Sequence, residues 1–168
     1  MTIQLIEAHG AELVPRIREL FEEYAGSLEI DLCFQNFKQE LDALPGAYAP
    51  PTGRLLLAVA GNVAVGCVAL RKIEDAICEM KRLYVRPAFR GQGLGRKLAM
   101  AVIDGARDCG YASMRLDTLS SMGEAISLYE SLGFVRTEAY YMNPNSCTVF
   151  MMLAIQPSAR RVDSPAKP

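Results

Sequence analysis

Val85-Arg86-Pro87-Ala88-Phe89-Arg90-Gly91-Gln92-Gly93-Leu94-Gly95-Arg96 joins a strand-like run, Glu79 to Val85, to a helix-like run, Gly95 to Asp108. Glycine recurs at alternate positions, Gly91, Gly93 and Gly95. A helix entered through such a loop leaves backbone N–H groups unpaired and pointing one way. Its macrodipole adds positive potential at the same end. Without Cβ atoms a bulky anion can come close to the backbone, and Arg90 and Arg96 add charge. The chemistry this favours is phosphate binding, above all pyrophosphate. The plainer alternative is a glycine-rich turn that only starts a helix.

Two phosphate motifs fail here. A Walker loop ends in Gly-Lys-Ser or Gly-Lys-Thr, whereas this loop runs Gly95-Arg96-Lys97. A dinucleotide fingerprint needs its third glycine three positions after the second, and Arg96 stands there. The pattern that fits is Arg90-x-x-Gly93-x-Gly95. It resembles the acetyl-CoA signature of the GNAT N-acetyltransferase superfamily. A second block, Ala125-Ile126-Ser127-Leu128-Tyr129-Glu130-Ser131-Leu132-Gly133-Phe134, resembles the family's A-x-x-L-Y-x-x-x-G-F signature at the expected distance downstream. The segment Phe34 to Pro51 and Tyr141-Met142-Asn143-Pro144 also look like a common bacterial GNAT subgroup.

The periodicities give the surrounding elements. Ile3 to Glu7 alternates as a first strand, and Ala11 to Ala25 carries a helical apolar stripe, with Pro15 tolerable in the first turn. A second helix is predicted over Phe34 to Leu44, ended by Pro45-Gly46. Leu55 to Ala60, Val63 to Lys72 and Ile77 to Val85 read as a meander of strands, the first two joined at Gly61-Asn62. After the glycine-loop helix come a strand (Ala112 to Thr118), a helix (Ala125 to Leu132) and two strands, Phe134 to Thr137 and Thr148 to Leu153. Helices interleaved with a mixed sheet mean an α/β or α+β sandwich. The order is also that of the GNAT fold, so the resemblance covers residues 3 to 155 and implies six to seven strands flanked by about four helices. Residues 1–155 are expected to form one domain. Residues 156–168, rich in Pro, Ser, Arg and Lys, are expected to be a disordered tail.

Composition narrows the function. Of 168 residues, 51% are hydrophobic and 22% charged, with a net charge of −1, which suits a soluble domain and gives no support for nucleic acid as a partner. No apolar run approaches the ~20 residues that cross a bilayer. The N-terminus lacks the basic and apolar regions of a signal peptide, so no membrane association and a cytoplasmic location are expected. The five cysteines include no C-x-x-C pair, which speaks against a disulfide framework or a metal site. His9 alone is poor material for a Ser-His or Cys-His enzyme.

The resemblance implies acetyl-CoA as co-substrate and no metal. It assigns pantetheine contacts and carbonyl polarisation to the backbone of Leu83, Tyr84 and Val85, and the pyrophosphate to Arg90, Gly91, Gln92, Gly93, Leu94, Gly95 and Arg96. Glu79 stands where many relatives carry a general base acting through water. Its plainer reading is a strand residue paired with Lys81 or Arg71. Tyr129 matches the family's proton donor to the thiolate, or else is a packed helix tyrosine. One family feature is missing: Met122 replaces an Asn that helps hold the cofactor, so that contact is either absent or supplied elsewhere, by Ser120 or Ser121. The acceptor is a small-molecule or peptide amine, and a homodimer is one state the family allows. Phe34, Tyr141 and the neighbouring Gln35, Phe37, Tyr48 and Tyr140, with the acids Glu22, Glu23, Glu29 and Asp31, would suit a small cationic amine; the plainer alternative is that the aromatics are core and the acids a solvated helix face. The competing function class is a non-catalytic acyl-CoA sensor of the same fold.

Overall fold

The computed structural model describes residues 2–28 and 30–157, with the backbone only for Cys33 and Phe34. Most of the expected tail, 158–168, lies outside the described residues. The seven strands are β1 (Ile3–Glu7), β2 (Arg54–Ala60), β3 (Val63–Glu74), β4 (Ile77–Val85), β5 (Ser113–Leu119), β6 (Val135–Thr137) and β7 (Thr148–Ala154). The helices are α1 (Val14–Ser27), α2 (Phe37–Ala43), α3 (Leu94–Asp108) and α4 (Gly123–Ser131). The strands form one sheet in the order β1-β2-β3-β4-β5-β7-β6. All neighbours are antiparallel except β4 and β5, which α3 connects as a parallel crossover. This is the α/β architecture the sequence implied.

The sheet is packed on both faces. Leu94, Leu98, Ala99, Val102, Ile103 and Ala106 recur at helical spacing on α3 and are buried against Cys78, Met80, Met114 and Leu116. Fully burying one such leucine is worth roughly 1.5–3 kcal/mol. On the other face Ile17, Leu20 and Phe21 of α1 pack on Leu55, Leu57, Cys67 and Ala69. The alternation in β4 therefore sends Cys78 and Met80 to the α3 face and Glu79 and Lys81 to the other. Gly66 of β3 lets its neighbour approach: a Cβ there would stand 2.8 Å from the Tyr84 carbonyl oxygen.

Two local departures shape the site. The helix expected over Phe34 to Leu44 is broken. Leu32–Gln35 forms a 3₁₀ turn, Asn36 takes a left-handed conformation (φ 56°), and α2 begins only at Phe37. Asn adopts that region more readily than other residues with a Cβ. In β4, the pairing with β3 shifts register between Lys81 and Tyr84, and Arg82 sits at φ 58°. A left-handed arginine costs about 1–2 kcal/mol, so something must hold it. Its guanidinium, 3% exposed, donates two 3.0 Å hydrogen bonds to Glu40 of α2 and lies over the rings of Phe37 and Tyr24. The buried ion pair ties the bulge to the short helix that flanks it.

Candidate active site

The parallel pair β4–β5 holds together for three residues only: Ile77 with Ser113, Cys78 with Met114, and Glu79 with Arg115. Beyond Glu79 the strands part, and the sheet opens into a slot. Its walls are Met80 to Leu83 on one side and Leu116 to Leu119 on the other. The cavity there measures ≈ 60 Å³. It opens onto a groove of ≈ 750 Å³ that runs along Leu83, Tyr84 and Val85 to the glycine loop. Tyr24, Leu28, Leu83, Leu119, Met122 and Ala125 line both.

The glycine loop is built as the sequence suggested. Gly91 and Gly93 take φ of 78° and 77°, conformations that turn successive N–H groups inward, and Gly93 caps α3. No other group lies within 4 Å of where a Cβ would stand on either glycine, so the cradle is open to a ligand. The free N–H groups of the first turn of α3 and its dipole face the same space. Arg90, Gly91, Gly93, Leu94, Gly95 and Arg96 line the groove; Gln92 is exposed beside it. Arg90 is folded back, donating to the Val85 carbonyl at 2.8 Å with its charge over the Tyr84 ring, and Arg96 donates to Ser131. Met122 lines the groove together with Ser121. A diphosphate fits this cradle.

Tyr129 stands in the slot wall. Its ring meets Phe134 edge-on at 5.7 Å, and it is 7% exposed. Its hydroxyl makes no hydrogen bond among the described residues, and burial raises its pKa well above the ordinary value.

Glu79 is placed differently from a free carboxylate. It is fully buried and does not line the slot. Arg71 Nε donates to its Oε1 at 2.7 Å, and the Tyr140 hydroxyl donates to its Oε2 at 2.5 Å. Lys81 Nζ stands 3.9 Å from Oε1 and does line the slot. Burial pushes the Lys81 ammonium below its ordinary pKa, against the opposing pull of Glu79. Lys81 donates to Gln35 Oε1 at 3.2 Å. Gln35 in turn reaches Asp117 Oδ2 at 3.4 Å, and Asp117 also accepts from Tyr141 at 2.8 Å. Asn143 donates to the Tyr141 hydroxyl, and the Arg115 guanidinium lies over the Tyr140 ring.

Burial is the first cause of a raised pKa at all seven tyrosines. A phenol whose native pKa exceeds its unfolded value of about 10 stabilises the fold below pH 10. That contribution is lost as pH rises through the native values. Lys81 runs the other way, one group against seven. Stability in urea is therefore expected to fall as pH rises past about 10. Tyrosinate absorbance near 295 nm should grow together with unfolding. Full ionisation at pH 10 with the near-ultraviolet dichroism intact would contradict this.

Sequence reasoning named Lys81 only as a partner of Glu79 and Gln35 only among the acceptor-side residues; it missed Asp117, the place of Lys81 in the slot and the Gln35 bridge. A usable signal existed. Cys78-Glu79-Met80-Lys81 and Met114-Arg115-Leu116-Asp117 alternate in step, so two neighbouring strands send their polar residues to one face. Among the aromatics considered for the acceptor, Phe37 and Tyr48 pack with the α1-side core. Tyr140 and Tyr141 belong to the polar network, and the Phe34 side chain lies outside the described residues. Glu22, Glu23 and Asp31 are not in the slot wall. Glu23 pairs with Arg86, and Glu29 lies outside the described residues. The acid that does reach the cavity is Asp117.

Residues 14–134 match the model of the Acetyltransferase (GNAT) family. The chain belongs to this family. An uncharacterized N-acetyltransferase of Schizosaccharomyces pombe is 44% identical over 80% of the chain and 83% of its own length. Another from Dictyostelium discoideum is 32% identical over 93% and 100%. Among solved structures, a GNAT-family acetyltransferase from Staphylococcus aureus superposes with a TM-score of 0.76 at 18% identity, over 92% of this chain and 100% of that one. A GNAT-family acetyltransferase from Elizabethkingia anophelis with acetyl-CoA bound gives 0.66 at 22% identity, over 90% and 97%. These last two likenesses establish the GNAT fold. Among the described residues there is no cluster of ligands for a metal ion and no helix long and apolar enough to cross a membrane.

Proposed function

We propose that this GNAT protein is an acetyl-CoA-dependent N-acetyltransferase that moves an acetyl group directly to a primary amine. The observation that carries the reading is the junction of the two spaces. A groove ending in a glycine cradle meets, at Leu83 and Met122, a small polar slot where β4 and β5 part. The relative solved with acetyl-CoA bound supports the choice of co-substrate.

In this reading the backbone N–H groups of Gly91 to Arg96 hold the pyrophosphate, and Leu83 to Val85 hold the pantetheine arm. Coenzyme A supplies an activated thioester. A backbone N–H of β4 beside the slot polarises the carbonyl, a kind of fixed donor worth roughly 3–4 kcal/mol in other enzymes. Tyr129 lines the slot near its junction with the groove and offers its proton to the leaving sulfur. Its raised pKa keeps that proton in place over the working pH range. Glu79 takes the amine proton through intervening water, since it stands behind Lys81 rather than in the slot wall. Ser121 lies where it can replace the Asn contact that Met122 lacks.

Calorimetry with coenzyme A tests the cradle. Gly93→Asp forces a side chain onto a left-handed position and sets a carboxylate against the phosphates. Binding is expected to weaken ~10–100-fold, from backbone strain of about 1–2 kcal/mol plus charge repulsion. Undiminished affinity in the variant would rule the cradle out as the pyrophosphate site.

A further inference from the structure

The slot carries charges of both signs that are kept apart. Lys81 and Asp117 both line it, yet no ion pair joins them among the described residues; the Gln35 amide stands between. The other acids of this region have arginine partners. Glu79 is held by Arg71, Glu40 by Arg82, and Glu23 by Arg86. Among the described residues Asp117 accepts hydrogen bonds from neutral donors, Tyr141 and Gln35. The Gln35 bonds to Asp117 and Tyr141, 3.4 and 3.3 Å, lie beyond the usual 2.7–3.2 Å range, so a ligand replaces them at little cost. A further polar atom is unused: Thr148 Oγ1 is buried at the slot with no hydrogen-bond partner among the described residues. The same wall also carries apolar residues, Leu28, Ile30 and Leu32.

We propose, resting on the reading of the slot as the acceptor site, that the acceptor is a free α-amino acid with an apolar side chain. Its ammonium binds Asp117, its carboxylate binds Lys81 and the Thr148 hydroxyl, and its side chain lies on the apolar wall. Lys81 stands 3.9 Å from Glu79, but Arg71 holds the same carboxylate at 2.7 Å, so a lone cation would satisfy Asp117 and leave the Lys81 charge only partly offset. A zwitterion neutralises both. The ≈ 60 Å³ cavity suits the small charged head group of such a molecule. In the transfer, the amine nitrogen bonds to the acetyl carbon and the carbon–sulfur bond breaks. The sulfur gains one proton, and the second proton released by the ammonium goes to solvent. The product keeps its carboxylate and loses its positive charge, so it no longer pairs with Asp117, which favours release.

The test compares apolar α-amino acids with the amines left when their α-carboxylate is removed: leucine against 3-methylbutylamine, and valine, phenylalanine and methionine likewise. Binding is followed by NMR titration on the free protein and on the protein saturated with coenzyme A. Coenzyme A affinity is scored separately by calorimetry, so a failure of the cofactor reading shows up independently of the acceptor result. In wild type at least one amino acid is expected to bind at least ~10-fold more tightly than its amine. In Lys81→Gln that ratio should fall to near one, and in Asp117→Asn both ligands should lose most of their affinity. The proposal is overturned if the amines bind as well as the amino acids in wild type. It is equally overturned if the preference survives Lys81→Gln, or if no amino acid saturates either form.

Discussion

Replacing Tyr129 with phenylalanine is expected to lower kcat by ~10²–10⁴-fold, the usual worth of a positioned general acid. Coenzyme A affinity should change little, because the hydroxyl makes no hydrogen bond among the described residues and only negative charge developing on sulfur calls on it. The ring keeps its edge-on packing against Phe134, so the fold should tolerate the change. Single-turnover kinetics isolate the chemical step. An unchanged rate there would reduce Tyr129 to a packing residue. Burial makes the phenol a weaker acid than usual, and the same burial strengthens its hydrogen bond to an anion beside it.

Glu40→Gln is expected to destabilise the protein by about 3–5 kcal/mol, because it leaves the Arg82 guanidinium buried without its counter-charge. The Arg82 side chain is 3% exposed and Glu40 14%, so water cannot substitute for the lost carboxylate. Chemical denaturation would measure the loss. The double variant Glu40→Leu with Arg82→Met should recover much of it, since neither charge then remains to be desolvated. A Glu40→Gln protein with wild-type stability would mean that the bulge in β4 does not depend on this pair.

The glycine loop was legible because its signal is local. Three glycines, their arginines and the flanking periodicities fit within about twenty residues, and one strand-to-helix junction satisfies all of them. The strands of the meander were legible for the same reason. The acceptor side was not. Gln35, Lys81, Asp117 and Tyr141 meet only after α3 has crossed over and β5 has come to lie beside β4. No short window contains two of them in contact. The helix over Phe34 to Leu44 was drawn too long because its apolar spacing continues through Asn36, while the chain there turns left-handed. Arg82 looked like an ordinary strand residue. Its positive φ comes from a register shift against β3 and a partner 42 positions away, neither of which periodicity encodes. Glu79 has both of the neighbours named in its plainer reading, Arg71 and Lys81.

The parting of β4 and β5 has a further consequence, for self-association. A sheet that opens in its middle has two inner borders of unpaired backbone in addition to its outer ones. Exposed borders of that kind recruit strands from other molecules and seed aggregates. Outer borders can be guarded with lysines, prolines or short strands, but inner ones must stay receptive if a ligand is to lie between them. Here the guard is a roof over the gap: Tyr24 of α1 with Leu28 just after it, and Ala125 and Tyr129 from α4. These residues cover the inner borders, so loosening either helix is expected to make the chain aggregate before it unfolds, which light scattering during a denaturant titration would show.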